Sequence, residues 1–596
     1  MIPLKNDFCY AILDDAGSAD AASVRNAGFY LHDTRHLSRY QWTFSGLDLI
    51  HQTQNAAGIT QFWSRMEDHA QTLLIRRTLA LGSHGLTDTL ELESSADTEL
   101  SVALDLATAA DFVDVFQARG YARLAPSNPV TEDVDGYGYV AQDGIVSGTR
   151  IHIDGFTRGQ PAIVAPRSRH RITVDIAFAS DLPAAQVTLP TASWQPKLKA
   201  DFAASEQVVL TQAVADIASL ILHTDRGRTI AAGIPNFVVP FGRDSIITAW
   251  LLLDVDPELS HSVLSYLAAR QGRESNEFHD EEPGKILHEH RECELSRIGE
   301  LPFRTYYGSA DSTPLFLVLL SDYVARTGNT AFAREMEPHW RAALNWIEQY
   351  SDDRGLINFR QRADGKGLTI QSWKDSQDSM SYSDGRLAGG SLAVAEVQGY
   401  VFAAYHAVAD LMALCGAPEA ERAALLARAD ALAQAFDAAF WMPAHNNYAL
   451  GLDADGNQLD VNSSDSGHLL WSGIVPQGKA PGLIARLFQP DLWSGYGLRT
   501  LSSTEKRYNP LSYHNGSVWP HDTALFAAGL RRYGAQPEFA RVREALTALG
   551  NASGDKRLPE LVGGYPREGD VPPLPYIESC RPQAWAAAAL IYVLNA

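Results

Sequence analysis

The chain has 596 residues, of which 45% are hydrophobic, so it is long enough for two or three domains with large cores. Its 49 basic and 71 acidic residues give a net charge of -22, which argues against nucleic acid or an anionic membrane surface as the main partner. The 12 Trp and 22 Tyr residues are numerous enough to line a site for a neutral or cationic ligand.

The N-terminal segment MIPLKNDFCYAILDDAG lacks the apolar core and the small-residue cleavage site of a secretory signal. No stretch reaches the eighteen or so apolar residues that a membrane-spanning helix requires. The four cysteines form no CxxC pair and lie far apart, at Cys9, Cys293, Cys415 and Cys580. This spacing favours free thiols in a reducing compartment, so we expect a soluble cytoplasmic protein without disulfides or a zinc site.

The first 190 residues show an apolar pattern with a period of two. Apolar and polar residues alternate around Leu90 and Leu92, around Leu100, Val102, Leu104 and Leu106, and around Ile172, Val174, Ile176 and Phe178. Such alternation is typical of strands with one buried face, and it predicts an antiparallel β-sandwich over residues 1–190. Pro183, Pro190 and Pro196 disfavour both helix and central strand, and they predict a linker over residues 191–205.

The remaining residues, 206–596, show an apolar period of 3.6. One predicted helix has an apolar face of Val394, Val397, Val401, Val408 and Leu411, and Gly416 and Pro418 end it. The next predicted helix has an apolar face of Leu425, Leu432, Phe436 and Phe440. Further helices are predicted over 206–223, 243–254, 312–326, 330–350, 516–533 and 536–549. About a dozen paired helices are too many for a simple bundle. The pattern therefore predicts an (α/α) toroid, with an inner ring of helices and functional loops at one end.

Two of the predicted loops place an acidic residue in an apolar environment. Asp375 follows Trp373 in QSWKDSQDSM, and Glu560 follows Pro559 in RLPELVGG. Desolvation raises a carboxyl pKa, although a surface turn with a half-buried tryptophan would also account for the first segment. Hydrolysis of a glycosidic bond needs such a pair, because one acid protonates the leaving oxygen and one carboxylate activates water or attacks.

Other loops carry charged residues whose roles the sequence leaves open. Arg243 and Asp244 follow Gly242 at a predicted helix start. Asp244 is either a helix cap or, together with Arg243, a group that orients sugar hydroxyls. His288 and His290 are spaced i, i+2 and have no HExxH motif or cysteine partner, so we expect no metal site.

Two aromatic segments, YYGSADSTP and YHNGSVWPHD, have similar alternatives. In the first, Tyr307 and Asp311 are either a packed ring and a helix cap or site residues. In the second, Trp519 is either a core residue ahead of a proline or, beside His514, a flat face on which a sugar stacks.

Ten motifs, taken in order, resemble the bacterial amylo-alpha-1,6-glucosidase or glycogen-debranching-like family. They are FGRDS, PGKILHEHR, YYGSADSTP, QSWKDS, EVQGY, SGHLLWSGIV, GLRTLS, YNPLSYHNGSVWPHD, RLPEL and CRPQAW. That family is similar to the inverting (α/α)6-barrel glycoside hydrolases, which include trehalases, processing α-glucosidases and glucoamylases. GFYLHDTRHLSRYQWTFSG and DFVDVFQARG resemble the β-rich N-terminal domain paired with that barrel. The resemblance implies an N-terminal antiparallel β-sandwich followed by a C-terminal (α/α)6 barrel.

The resemblance also implies roles for individual residues. Asp375 matches the general acid and Glu560 the general base, while Arg243 and Asp244 match the pair that holds the sugar released by cleavage. The substrate-binding positions implied by the other shared motifs are His290, Tyr307, Asp311, Trp373, Lys374, Gln398, His514 and Trp519.

We therefore predict an inverting, exo-acting α-glucosidase that needs no cofactor or metal and cleaves the terminal bond of a small α-glucoside or oligosaccharide. No region could house the separate transferase barrel of a eukaryotic-type debranching enzyme. One alternative is a glycoside phosphorylase, in which phosphate replaces the activated water and no base such as Glu560 is needed. The other is a non-catalytic carbohydrate-binding protein on the same scaffold. The sequence does not specify the aglycone, the linkage or the oligomeric state.

Overall fold

A computed structural model describes residues 1–67, 69–183, 194–199, 201–360, 366–569 and 571–596. The described residues form two compact units. The first comprises Met1–Leu189, Ser219–His223 and Arg291–Arg304, and the second comprises Pro190–Ala218, Thr224–His290 and Thr305–Ala596. Residues 191–193 and 200 of the predicted linker lie outside the described residues.

Two short segments beyond residue 206 group with the first unit, although the sequence pattern assigned them to the barrel. In one of them, Arg291 donates to the Asp33 carboxylate at 2.8 Å, and both side chains are almost fully buried. Apolar periodicity does not reveal a contact between residues so far apart in the chain, so the domain limits 1–190 and 206–596 stay predictions.

The first unit is mainly β. Its described strands are β1 (Ile2–Asn6), β2 (Cys9–Leu13), β3 (Ala19–Asp20), β4 (Gly28–Leu31), β5 (Thr34–Leu37), β6 (Arg39–Phe44), β7 (Asp48–Asn55), β8 (Gly58–Glu67), β9 (Ala70–Gly82), β10 (Gly85–Ser94), β11 (Leu100–Val102), β12 (Leu104–Ala109), β13 (Thr131–Asp133), β14 (Gly136–Val140), β15 (Val146–Asp154), β16 (Ala162–Val164) and β17 (Arg169–Ser180). Two short helices, α1 (Val115–Ala118) and α5 (Glu294–Arg297), belong to the same unit.

The largest sheet of this unit is antiparallel and has the strand order β13-β14-β15-β17-β10-β9-β8-β7. Along β10 and β17 the buried residues alternate with partly or fully exposed ones, as the period of two predicts. Leu90, Leu92 and Val174 lie in the core between the sheets, where each buried side chain contributes roughly 1.5–3 kcal/mol. The predicted antiparallel β-sandwich is confirmed.

The second unit is mainly helical. Its principal helices are α2 (Ala204–Leu220), α3 (Gly242–Leu251), α4 (Pro257–Ala269), α6 (Ser312–Thr327), α7 (Thr330–Glu335), α8 (Glu337–Tyr350), α9 (Ala395–Cys415), α10 (Glu419–Phe440), α11 (Asp465–Ser472), α12 (Ala480–Leu487), α13 (Pro520–Arg532), α14 (Gln536–Ala552) and α15 (Ala584–Asn595). The remaining strands are short. Strand β18 (Ile221–Thr224) lies almost entirely in the segment Ser219–His223, which belongs to the first unit. The strands of the second unit are β19 (Gly227–Gly233), β20 (Phe237–Pro240), β21 (Glu289–His290), β22 (Thr305–Tyr306), β23 (Phe359–Arg360), β24 (Ser391–Val394), β25 (Trp441–Met442), β26 (Asn447–Tyr448) and β27 (Gly451–Leu452).

Six of the described helices form a closed inner ring. Each packs on the next in the order α3, α6, α9, α11, α13 and α15, and α15 returns to α3. Outer helices pack against this ring: α4 on α3 and α6, α8 on α6 and α9, α10 on α9, α12 on α11, and α14 on α13 and α15. Helix α2 contacts α14 through the ion pair between Glu206 and Arg543. Outer and inner helices therefore alternate along the chain, which confirms the predicted (α/α)6 barrel.

The helix ends follow the sequence signals. Gly416 ends α9 in the left-handed conformation at φ +78, which glycine adopts without a Cβ clash. On α8 the buried residues Trp340, Leu344 and Ile347 recur at helical spacing, so this outer helix has one apolar face. By contrast, α15 is buried on nearly all sides, as expected of an inner helix. No helix among the described residues combines the length and the apolar character needed to cross a membrane.

Candidate active site

The candidate site lies where the inner helices of the barrel begin. Arg243 and Asp244 occupy the first turn of α3, and Asp311 immediately precedes α6. Asp375 lies in the connection between α8 and α9, and Glu560 lies in the connection between α14 and α15. Consecutive antiparallel helix pairs make the inner helices parallel, so their N-terminal ends and the loops before them meet at one end of the barrel.

The Arg243 guanidinium joins two of the predicted site residues. Its Nη1 donates to Asp311 Oδ2 at 2.8 Å, and its Nη2 donates to Asp375 Oδ2 at 2.9 Å. The side chains of Arg243 and Asp311 are 3% and 0% exposed, whereas that of Asp375 is 27% exposed. Asp311 makes no side-chain cap bond to α6. Its carboxylate instead fixes the arginine, and the arginine fixes one oxygen of Asp375.

Asp375 has the raised pKa that a general acid needs. Burial raises the pKa of its carboxyl to about 6, Arg243 opposes that shift, and the negative charge of Asp311 adds to it. Since Arg243 donates to Oδ2, the other carboxyl oxygen is the one that can carry a proton toward a ligand. The geometry therefore suits an acid that keeps a fixed orientation after it has lost its proton.

Glu560 is 1% exposed and is held through both of its carboxyl oxygens. The Tyr513 hydroxyl donates to Oε1 at 2.5 Å, and the Cys580 backbone N–H donates to Oε2 at 2.7 Å. Burial raises the pKa of Glu560 to about 7, against the lowering effect of the Tyr513 and Cys580 hydrogen bonds, while the charge of Asp375 raises it further. A base with this pKa can take up and release a proton near neutral pH.

Asp244 lies within the electrostatic reach of both carboxylates. Burial raises its pKa to about 7, Arg243 lowers it, and the charges of Asp375 and Glu560 raise it again. Three largely buried carboxyl groups, on α3 and on two separate loops, are thus close enough to influence one another's protonation. A cluster of this kind marks a candidate catalytic centre rather than a structural ion-pair network alone.

Trp373 and Lys374, which directly precede Asp375, are buried behind it, each 1% exposed. The Trp373 indole N–H donates to Asp465 Oδ1 at 2.8 Å. The Lys374 ammonium donates to Asp465 Oδ2 and, at 2.7 Å, to the Thr500 carbonyl. Both side chains are therefore oriented by α11 and a neighbouring loop, and they do not line an open surface.

His514 and Trp519 stack on each other, with ring centroids 5.0 Å apart and planes 19° apart. The Ser376 N–H donates to His514 Nδ1 at 3.3 Å, so the neutral ring carries its proton on Nε2. Burial lowers the pKa of His514 well below its usual range, which keeps the ring neutral. The Trp519 indole donates to the Tyr513 carbonyl at 2.9 Å. The pair thus supports the loop that carries Asp375 and the residue that holds Glu560.

The remaining predicted site residues are Gln398, Tyr307 and His290. The Gln398 side-chain amide donates to the Ile357 and Val394 carbonyls at 2.8 and 3.0 Å, and its oxygen accepts the Ile357 N–H at 2.9 Å. The Tyr307 hydroxyl donates to the Arg270 carbonyl at 2.8 Å. His290 is half-buried on β21, where Nδ1 lies 3.0 Å from the Thr305 hydroxyl. The substrate-binding roles of these three residues stay predictions.

Residues 243–570 match the Mannosylglycerate hydrolase MGH1-like glycoside hydrolase domain family, which spans more than half of the chain. The chain belongs to this glycoside hydrolase family. Residues 4–188 match the N-terminal domain of some glycogen debranching enzymes, which confirms the resemblance inferred from the sequence motifs.

A curated relative of this glycoside hydrolase is similar to it over only part of the chain. The mannosylglycerate hydrolase of Rubrobacter radiotolerans is 30% identical over 145 residues, which cover 24% of this chain and 33% of the relative. The chain therefore matches about a third of the length of that curated relative.

The solved structures that resemble this chain have low sequence identity to it. The GH63 mannosylglycerate hydrolase from Thermus thermophilus in complex with Tris has a TM-score of 0.49 at 15% identity, covering 65% of this chain and 99% of that one. A GH78 family rhamnosidase of Bacillus sp. GL1 has a TM-score of 0.48 at 15% identity, covering 82% of this chain and 49% of that one.

Sequence reasoning missed three residues that hold either a candidate catalytic group of this glycoside hydrolase or the residues directly before one. Tyr513 stands next to His514 in YNPLSYHNGSVWPHD, Cys580 begins CRPQAW, and Asp465 directly precedes SGHLLWSGIV. Tyr513 and Cys580 thus lie within motifs that the sequence had singled out, and Asp465 lies one residue before such a motif. Their partners are 47, 20 and 91 or 92 residues away, so only the fold reveals the contacts.

In the part of this hydrolase that the structure describes, no group of three or more His, Cys, Asp or Glu side chains is arranged to hold a metal ion. Cys9, Cys293, Cys415 and Cys580, all within the described residues, form no disulfide.

Proposed function

We propose that this glycoside hydrolase is an exo-acting, inverting enzyme that cleaves the terminal bond of a small α-glycoside, with Asp375 as general acid and Glu560 as general base. The observation that carries the proposal is the pair of largely buried carboxyl groups with pKa values raised to about 6 and about 7, held by separate loops at one end of the barrel. A paired acid and base is the minimum that one-step hydrolysis of a glycoside requires.

The reaction then proceeds in one displacement. Asp375 donates its proton to the glycosidic oxygen while Glu560 accepts a proton from a water molecule, and the oxygen of that water forms a bond to the anomeric carbon as the bond to the leaving group breaks. Arg243 stabilises the aspartate left by proton donation, because it already donates to Oδ2. Exchange of protons with solvent returns both carboxyl groups to their starting states.

We propose an α-glucoside as the substrate, with an α-mannoside of a small hydroxy acid as the second candidate. The first follows from the motifs shared with amylo-alpha-1,6-glucosidases, and the second is supported by the family description and by the curated relative that is named a mannosylglycerate hydrolase. Asp244, buried beside Arg243 and both catalytic candidates, is suited to accept hydrogen bonds from the hydroxyls of the sugar being released.

Sugar release from matched pairs of compounds tests the choice of substrate. The panel contains glucose and mannose, each α-linked to glycerate, to a second hexose and to glycerol, assayed with and without inorganic phosphate. Hydrolysis of the glucosides alone supports the first candidate, and hydrolysis of mannosylglycerate alone supports the second. Turnover that requires phosphate and yields a sugar phosphate would instead identify a phosphorylase.

The pH dependence should be bell-shaped, with the highest kcat/KM between pH 6 and 7. Asp375 must be protonated and loses its proton as the pH rises through about 6, whereas Glu560 must be ionised and gains a proton as the pH falls through about 7. The productive form therefore peaks midway, and the rate falls about tenfold per pH unit on the outer limbs. Initial rates from about pH 4 to 9 at subsaturating substrate measure this profile. A rate that still rises above about pH 8 would contradict the assignment.

Replacing Tyr513 by phenylalanine should move the pH optimum upward and lower the maximal rate. Burial raises the pKa of Glu560, and the Tyr513 hydroxyl is the strongest influence opposing that rise. Without the hydroxyl, Glu560 ionises at higher pH, where less Asp375 remains protonated. The pH profile of kcat/KM measures the shift. Tyr382→Phe is the matched control, since Tyr382 also donates to a carboxylate, that of Asp453 at 2.7 Å, and its profile should match the wild type.

A further inference from the structure

Asp465 connects two residues that directly precede the proposed general acid. This aspartate is the first residue of α11, and its side chain is 2% exposed. Its Oδ1 accepts the Trp373 indole N–H at 2.8 Å, and its Oδ2 accepts the Lys374 ammonium. The Ser463 hydroxyl donates to Oδ2 at 2.6 Å. Both carboxylate oxygens are therefore engaged, and the two residues on the N-terminal side of Asp375 are held by one group.

Lys374 extends this connection toward the loop between α12 and α13. Its ammonium donates to the Thr500 carbonyl at 2.7 Å. The Thr500 N–H donates to the Ser517 carbonyl at 2.9 Å, and the Gly516 N–H donates to the Thr500 hydroxyl at 2.8 Å. The Lys374 ammonium is thus held by a helix of the inner ring and by a hydrogen-bonded pair of backbone segments.

The same backbone segments lead to the proposed base. Val518, next to Ser517, exchanges two hydrogen bonds with Val562, of 2.9 and 3.0 Å. Val562 stands two residues after Glu560, whose own N–H donates to the Cys580 carbonyl at 3.0 Å. Hydrogen bonds and short stretches of backbone therefore connect Asp465, through Lys374, to the segment that carries Glu560.

We propose that Asp465 is a positioning residue that, through Trp373 and Lys374, sets the placement of Asp375 relative to Glu560. The inference rests on the proposed acid and base roles of these two carboxyl groups. A buried carboxylate that accepts from an indole and an ammonium leaves the Asp375 loop little freedom to move, since loss of either contact exposes an unpaired buried group. Displacement of a catalytic group by about 1 Å can cost about 100-fold in rate.

Asp465→Asn is the informative variant. The amide oxygen can still accept the Trp373 N–H, but the negative charge opposite Lys374 is lost. The variant should lower kcat/KM about 100-fold on a glycoside with an alkyl or sugar leaving group and less than about threefold on an aryl glycoside of an acidic phenol. The reason is that only the poor leaving group needs a proton from a correctly placed acid. Ser463→Ala removes one donor to Asp465 without changing a charge. It should lower kcat/KM by less than Asp465→Asn does, and again mainly on the glycoside with the alkyl or sugar leaving group.

Asp256 offers a matched control in the same unit. It caps α4, accepts the Trp194 indole N–H at 2.7 Å and accepts from Arg228 at 3.1 Å, so it also combines an indole and a cation on one carboxylate. Asp256→Asn should lower the Tm and leave the ratio of the two kcat/KM values unchanged. The double variant Asp465→Asn, Lys374→Met removes both buried charges, so it should recover Tm while keeping the leaving-group selectivity.

The experiment measures Tm and kcat/KM on both substrates for these variants and for Asp375→Asn. Selective loss in Asp465→Asn, together with an unchanged ratio in Asp256→Asn, supports the positioning role. Equal losses on both substrates in Asp465→Asn, or recovery of the ratio in the double variant, overturns it and leaves Asp465 a structural residue. If Asp375→Asn itself shows no selectivity, the proposed acid assignment fails and the positioning inference fails with it. These two failures are distinguishable because they appear in different variants.

Discussion

Asp375→Asn should lower kcat/KM about 10³-fold to 10⁴-fold on an α-glycoside whose leaving group is an alkyl alcohol or a second sugar. The amide has nearly the same shape as the carboxylic acid but cannot give its proton to the glycosidic oxygen. Asp375 is partly exposed, whereas Arg243, which donates to it, and Asp311, which accepts from Arg243, are buried. The substitution therefore removes the proton donor while leaving the groups that position it.

The measurement compares two substrates that share a sugar and differ in the acidity of the leaving group. An aryl glycoside whose phenol is already acidic should lose far less activity than the alkyl glycoside, since its leaving group departs without protonation. The variant should also lose the alkaline limb of the pH profile, because no acid remains to ionise. Asp384→Asn, an exposed residue of the same connection between α8 and α9, is the control. Equal losses on the two substrates would assign Asp375 to another role.

The fold was largely predictable from the sequence because its two halves have different apolar periods. Alternation at Leu90, Leu92 and Val174 required one buried sheet face, which the sandwich provides. The helical face that includes Val397 and Val401 required packing against other helices, which α9 has in the barrel. The short segments 219–223 and 291–304 were not predictable in the same way, since their placement in the first unit depends on long-range contacts.

The chemistry of the site was predictable in part. The apolar neighbours Trp373 and Pro559 indicated Asp375 and Glu560 as candidate catalytic residues. In the structure burial raises the pKa of both carboxyl groups. The motif resemblance implied a substrate-binding role for Lys374, which stays a prediction, and the structure shows its ammonium buried against Asp465 and Thr500. A sequence motif does not tell residues that contact a ligand from residues that hold those contacting residues in place, because residues of both kinds lie in the same motif.

The residues that hold the base illustrate what sequence cannot supply. Tyr513 and Cys580 contact Glu560 only because the fold brings together two connections, the one that precedes α13 and the one between α14 and α15. No local pattern around Tyr513 distinguishes a hydroxyl that donates to a carboxylate from one that contacts solvent. The pKa of Glu560 is therefore a property of the fold, because burial and hydrogen bonds from distant segments set it.

Glu560→Gln should lower kcat/KM about 10³-fold or more, which is similar to the loss expected for Asp375→Asn on an alkyl glycoside. The loss should be equal on alkyl and aryl glycosides. The glutamine oxygen can still accept the Cys580 N–H, and its amide group can donate to the Tyr513 hydroxyl oxygen. The amide cannot accept a proton from the attacking water, and the attack on the anomeric carbon is needed whatever the leaving group. This equal loss separates the base from the acid, whose removal should be selective. Kinetics on both substrate types measure it, with Glu421→Gln on α10 as the control.

The stereochemistry of the product tests whether Glu560 acts as a base or as a nucleophile. If it activates water on the face of the sugar opposite Asp375, the two carboxyl groups should stand roughly 6.5–9.5 Å apart and an α-glycoside should first release the β-anomer. A nucleophilic Glu560 would stand about 5–5.5 Å from the acid and would release the α-anomer through a covalent intermediate. Proton NMR of the anomeric signals in the first minutes, before mutarotation, distinguishes the two. The α-anomer as first product would refute the inverting mechanism, because a single displacement by water cannot retain the configuration.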